Sequence, residues 1–154
     1  MSFILSNPQE KSSVKLDPKY INGMEYLTGL SDAVNDIEYN SLKEDVYIEI
    51  PMPAATQIVL ETVISIAKED YEQGVKYTDK NDPSSILVND KIKILSGMDQ
   101  MRLANVSLFL GYMSLLSRVG KEIGKNISDK NEDEMREYFN ISRDSPQIIL
   151  HTYN

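Results

Sequence analysis

The chain opens with a short apolar run, Phe3-Ile4-Leu5, which gives way to the turn material Asn7-Pro8-Gln9-Glu10-Lys11 and then to Val14-Lys15-Leu16, where apolar and polar residues alternate. Side chains along a strand point to opposite faces in turn, so this stretch predicts two short strands joined by a turn. The spacing then changes. Ile21, Met24, Leu27 and Leu30 recur at intervals of three, which predicts a short helix burying one side, with Gly29 weakening its end. Asp32 to Asp45, with Asp32, Asp36, Glu38, Glu44 and Asp45, offers little to bury and predicts a solvent-exposed loop. Val46-Tyr47-Ile48-Glu49-Ile50 returns to alternation with β-forming residues and stops at Pro51-Met52-Pro53, as a strand ended by proline does.

The rest of the chain has a helical period. Thr56 is placed to accept amide hydrogens of a first turn, after which Gln57, Glu61, Ser65 and Lys68 form a polar stripe and Val59, Leu60, Val63, Ile64 and Ala67 a broad apolar face. Polarity rises from Glu69 to Asp90, and Asn81-Asp82-Pro83 marks a turn, so a surface linker or insertion is expected. Ser96 with Asp99 three places on opens a nearly all-apolar helix that runs to Gly111 through Met101, Ala104, Val106, Leu108, Phe109 and Leu110. A second helix is expected from about Tyr112 to Asn126, with Leu115, Leu116, Val119, Ile123 and Ile127 on adjoining turns and Arg118, Glu122 and Lys125 facing water. A third, short one is announced by Asn131 with Glu134 three residues later and carries Met135, Tyr138 and Phe139. Strands at the front and helices behind predict an α+β domain, its small N-terminal sheet packed on helices.

Composition narrows what such a domain could do. The 154 residues carry 24 Asp and Glu against 16 Lys and Arg, a net charge of -8, so a basic surface for phosphate backbones is missing on average. There is no cysteine, which excludes disulfides, cysteine nucleophiles and thiolate metal sites. The single histidine, His151, is the fourth residue from the end, a poor position for a catalytic triad. No basic flank with an apolar run opens the chain and nowhere do about 18 apolar residues occur together, so an intracellular soluble protein is the expectation.

Candidate chemistry is sparse. The acids between Asp32 and Asp45 lack the spacing of a calcium loop and read as a solvated surface, while Asp129, Glu132, Asp133 and Glu134 crowd a helix start where negative charge is favoured. Gly111, Gly120 and Gly124 lie inside helical periodicity with no strand feeding them, which points to close helix packing and not to a phosphate cradle. The nine tyrosines form no basic-aromatic ladder for nucleic-acid bases, and no catalytic or metal residues stand out. No cofactor is expected.

The ordered combination of these segments resembles the adaptor subunit of SCF ubiquitin ligases, the S-phase kinase-associated family with a BTB/POZ-type fold. The resemblance rests on Ile50-Pro51-Met52-Pro53 with the helix after Thr56, on Leu108-Phe109-Leu110-Gly111 at a helix junction, on the leucine pair Leu115-Leu116, and on Glu134-Met135-Arg136-Glu137-Tyr138-Phe139-Asn140-Ile141. It lies over Ile92 to Asp144 without a gap and extends more weakly over Ser2 to Leu30. Where the family has an asparagine and a tyrosine toward a cullin, this chain has Leu108 and Phe109; the alanine pair before them reads Val106-Ser107, and the acidic final helix after Asp144 is cut short.

What the resemblance implies is a two-sided bridge with no active site. It divides the chain into a BTB/POZ-like domain over 1–127 and a C-terminal helical extension over 128–154 that binds F-box proteins. An F-box-binding surface would use Leu115, Leu116, Val119, Ile123, Ile127, Met135, Tyr138, Phe139 and Ile141, and a cullin-binding surface Leu108 and Phe109. Intramolecular core is the competing role for each of these side chains. The partners implied are an F-box protein and a cullin in a heterodimer or larger complex, with no nucleic acid and no membrane, in cytoplasm and nucleus. A divergent elongin C-like subunit with one dedicated partner is the alternative.

Overall fold

A computed structural model describes residues 2–36, 47–52, 54–74 and 90–141. Strands β1 (Ser2–Asn7) and β2 (Ser12–Leu16) form the expected hairpin, paired antiparallel from Phe3 opposite Leu16 to Asn7 opposite Ser12. The turn between them is a short helical turn at Pro8–Glu10 that ends with Lys11 in the left-handed region, φ 50°. Strand β3 (Tyr47–Pro51) lies parallel to β1 on its other side, giving the order β2-β1-β3. Met52 donates its amide hydrogen to the Ser6 carbonyl at 2.7 Å, so donors toward β1 fall on alternate residues and the nitrogen of Pro51, which has no hydrogen to give, faces away from β1.

Among the described residues six α-helices follow: α1 (Glu25–Asp36), α2 (Gln57–Glu72), α3 (Asp90–Lys93), α4 (Gly97–Leu110), α5 (Met113–Ile127) and α6 (Glu132–Tyr138). One core joins them to the sheet. Phe3, Leu5, Leu16 and Ile50 supply its sheet side, Leu27 the first helix with Met24 just before it, and Val59, Leu60, Val63, Ile66 and Ala67 the second, which is buried on most of its circumference as expected. Leu103, Val106 and Leu110 of α4 and Leu115 and Val119 of α5 close it. Asn7 and Ser12 both donate side-chain hydrogen bonds to the Ala55 carbonyl, at 3.1 and 2.8 Å, and thereby fasten the entry to α2 onto the hairpin.

Several expectations change. The acidic stretch from Asp32 does not begin a loop: α1 continues to Asp36, with Asp32 exposed, because a helix with one buried side tolerates acids on the other. The helix also begins at Glu25, leaving Ile21 and Met24 in the segment before it. Thr56 stands at the N-cap of α2, but its side chain caps nothing and its buried Oγ1 has no hydrogen-bond partner among the described residues. Helix α2 runs to Glu72 and α3 starts at Asp90, so of the expected linker only 75–89 stays outside the described residues, as do 37–46, the Ile148-Ile149-Leu150 triplet and His151. The three late helices lie where the period placed them.

Candidate functional site

Helix α4 carries a different surface at each of its ends. Ser96 accepts a hydrogen bond from the Asp99 amide at 3.2 Å to open the helix, and Gly111, φ 70°, closes it in a left-handed cap whose amide reaches the Leu108 carbonyl at 3.1 Å. The start of α1 lies directly against that cap: the Glu25 amide donates to the Gly111 carbonyl at 3.3 Å, and a Cβ at 111 would stand 3.0 Å from the Glu25 Cβ. This close approach brings Tyr26 onto Phe109, their ring centroids 5.5 Å apart. Leu108 is 59% exposed and Phe109 40%, and Tyr26, Met101 and Met113 are also exposed large apolar side chains. The pair expected to face a cullin therefore lies on the surface.

At the other end, α6 is seated against α4. Its capping box is complete, with Asn131 accepting from the Glu134 amide at 2.9 Å and the Glu134 side chain accepting from the Asn131 amide at 3.5 Å. Tyr138 donates to Gln100 Oε1 and accepts from Asn126 Nδ2 at 2.9 Å. Gln100 is buried and uses its other end to donate to the Ile92 carbonyl at 3.1 Å, so one carboxamide ties α6 to the entry of α4. Gly97 leaves the space for this: a methyl group there would overlap the Tyr138 carbonyl and ring.

The residues expected at an F-box surface separate into two sets. Leu115, Val119 and Ile123 are buried in the core of the free chain. A partner could not cover them without opening the domain, so their part is to carry the surface. Leu116, Ile127, Met135, Tyr138, Phe139 and Ile141 are half-buried, with Ile127 and Phe139 packed on the core margin and the Tyr138 and Phe139 rings 4.9 Å apart. They are the side chains a partner helix could reach.

Two sequence expectations fail here. Arg118 and Glu122 do not face water; Arg118 is 2% exposed and Glu122 is buried too. Arg118 forks onto both Asp70 oxygens at 3.1 and 2.6 Å, and the Tyr112 hydroxyl donates to the same carboxylate. Burial alone would lower the pKa of the Arg118 guanidinium, but the hydrogen bonds and charge of Asp70, with Tyr112, outweigh it and hold the value above the ordinary one. Gly120 and Gly124 are likewise not close-packing positions: both are exposed and a Cβ on either would meet nothing. Of the three glycines singled out by periodicity only Gly111 is a close approach, and Gly97, which periodicity passed over, is the tighter one.

Among the described residues no group of three or more His, Asp or Glu side chains is arranged to hold a metal ion, and no helix is long and apolar enough to cross a membrane. No protein-family model matches the sequence, and no curated protein matches it significantly. The small α+β domain, with its three-stranded sheet against several helices, is the architecture expected from the pattern of positions.

Proposed function

We propose that the chain is a non-catalytic adaptor of an SCF-type ubiquitin ligase, with a BTB/POZ-like domain that joins a cullin to F-box substrate receptors. One observation carries this reading: two apolar surfaces occupy opposite ends of a single helix. From Gly97, where α6 docks, to Leu108, where the exposed pair begins, α4 spans ~16 Å at the α-helical rise. Two partners could sit on such a helix without touching each other. The cullin side is Leu108 and Phe109, extended by Tyr26; the F-box side is Ile127, Met135, Tyr138, Phe139 and Ile141, whereas Leu116, in the first turn of α5 just past the Gly111 cap, falls at the cullin end.

The reading separates the two surfaces by mutation. Phe109→Ala is expected to weaken association with a cullin amino-terminal domain by roughly thirtyfold, about 2 kcal/mol, because truncated aromatic anchors often cost that much, and to leave F-box binding unchanged. Phe139→Ala is expected to do the reverse. Titration calorimetry with each purified partner measures both, and a wild-type chain that binds neither overturns the proposal. An elongin C-like subunit with one dedicated partner is the second reading. It is favoured by Leu108 and Phe109, which keep bulk but lack the hydrogen-bonding groups of the resembled family, and it predicts binding at that end alone.

A further inference from the structure

Helix α4 exposes four side chains, Met101, Asn105, Leu108 and Phe109, while its other residues are buried or half-buried. At 3.6 residues per turn the four fall within ~100° of one another, so they form one ridge along the helix. Three are large and apolar and none is charged, in a chain that is 26% charged. Asn105 stands ~6 Å along the axis from Met101 and ~4.5 Å from Leu108, near the middle of the ridge. Tyr26 widens it beside Phe109, and the exposed Met113 continues it just past the Gly111 cap. Of the charged groups at its margin, Arg102 is paired with Asp99 at 3.0 Å, and the exposed Glu25 stands next to Tyr26 at the cap end.

This pattern is complementary to itself. Two copies that each carry -8 repel one another, so they can meet closely only where charge is lacking, as it is along this ridge. Laid antiparallel on a second α4, the ridge sets Met101 over the second copy's Leu108 and Asn105 over its own equivalent. A carboxamide both donates and accepts, so two of them related by a twofold axis satisfy each other. A single asparagine in an apolar seam is also the device that fixes the register and number of paired helices. The exposed parts of Tyr26, Met101, Leu108, Phe109 and Met113 amount to roughly 500 Å² per copy, so a dimer buries on the order of 1,000 Å², the lower bound for a specific interface.

We infer that α4 pairs antiparallel with α4 of a second copy about a twofold axis at Asn105, which makes the free chain a weak homodimer. The inference does not rest on the adaptor reading. A cullin seated at Leu108 and Phe109 would take the place of the second copy, so the two partners exclude one another.

Sedimentation velocity of the full chain, from micromolar to near-millimolar concentration, tests it. A monomer–dimer exchange is expected with a Kd on the order of 10–100 μM, strengthened by added salt because salt screens the repulsion between copies. Leu108→Glu and Asn105→Asp are each expected to raise the Kd at least about tenfold, and Ile58→Glu, which adds the same charge at an exposed isoleucine of α2, to leave it unchanged. Both ridge variants alter exposed side chains, and circular dichroism checks that their fold is kept. The lack of cysteine supplies a direct readout: Asn105→Cys places the sole thiol at the axis, where diamide oxidation is expected to link two chains at least about tenfold faster than in Ile58→Cys. The inference is overturned by a monomer over the whole range, by association that Leu108→Glu and Asn105→Asp leave intact, or by equal linking through the two cysteines. A chain that dimerises and binds no cullin overturns the adaptor reading alone, and one that binds a cullin but stays monomeric when free overturns this inference alone.

Discussion

Arg118 is the residue whose environment departs furthest from its chemical type. A guanidinium taken out of water is costly, and Asp70 with the Tyr112 hydroxyl compensates it through a forked ion pair buried between α2 and α5. Breaking one side leaves the other charge uncompensated. Arg118→Ala is expected to lower the unfolding free energy by about 3–5 kcal/mol, and Tyr112→Phe by about 1–3 kcal/mol, in urea denaturation. Replacing Asp70 and Arg118 together by apolar residues of similar volume is expected to cost less than Arg118→Ala alone, the signature of a coupled pair. Because the arginine pKa is raised on folding, its contribution is complete below the ordinary arginine value and lost only above the raised one, so it gives no slope in stability from neutral to moderately alkaline pH. The sequence could not show this pair. Its members are 48 positions apart, and Arg118 sits beside Val119 at the edge of an apolar stripe, where a charged side chain is normally assigned to water.

At the scale of elements, the seat of α6 decides how the late helices behave. Seven residues are too few for a stable isolated helix, yet α6 has a complete capping box and a tyrosine fixed to two other helices. Gly97→Ala is expected to remove that seat. Hydrogen exchange at 132–141 should then rise toward that of a free segment while the β1–β2 hairpin keeps its protection, and unchanged exchange at 132–141 would show that α6 is held by something other than this contact. The existence and period of these helices were legible because caps and apolar spacing are local signals, as Ser96, Asn131 and Gly111 illustrate. What each helix packs against was not. Gly120 and Gly124 have the spacing of close-packing glycines and open onto solvent, whereas Gly97, one place after a cap, gives no sequence signal that α6 will lie across it. The same limit applies to Leu115, Val119 and Ile123. Their stripe was correctly seen, but a stripe does not say whether a neighbour in the same chain or a partner covers it.

For the whole molecule the question is whether the chain is a domain with an appended binding segment or one body. The core joins β1, β2, β3 and the helices α1 to α5 in a single cluster, and none of its fully buried members comes from α6, beside which Phe139, just past its end, packs only at the margin. That distribution predicts that a chain ending after Lys130 still folds. Its losses are the Tyr138 hydrogen bonds to Gln100 and Asn126, the Phe139 packing and the cover over Gly97, and water can replace the donor at the uncovered Gln100 oxygen. The shortened chain is expected to unfold in one cooperative transition, seen alike by circular dichroism and tyrosine fluorescence, with stability reduced by about 1 kcal/mol for each hydrogen bond lost. A division near residue 127 into fold and extension predicts that outcome. Loss of the cooperative transition would instead make 131–141 part of the folding unit, and any partner at Phe139 would then bind a finished surface and not complete an unfinished one.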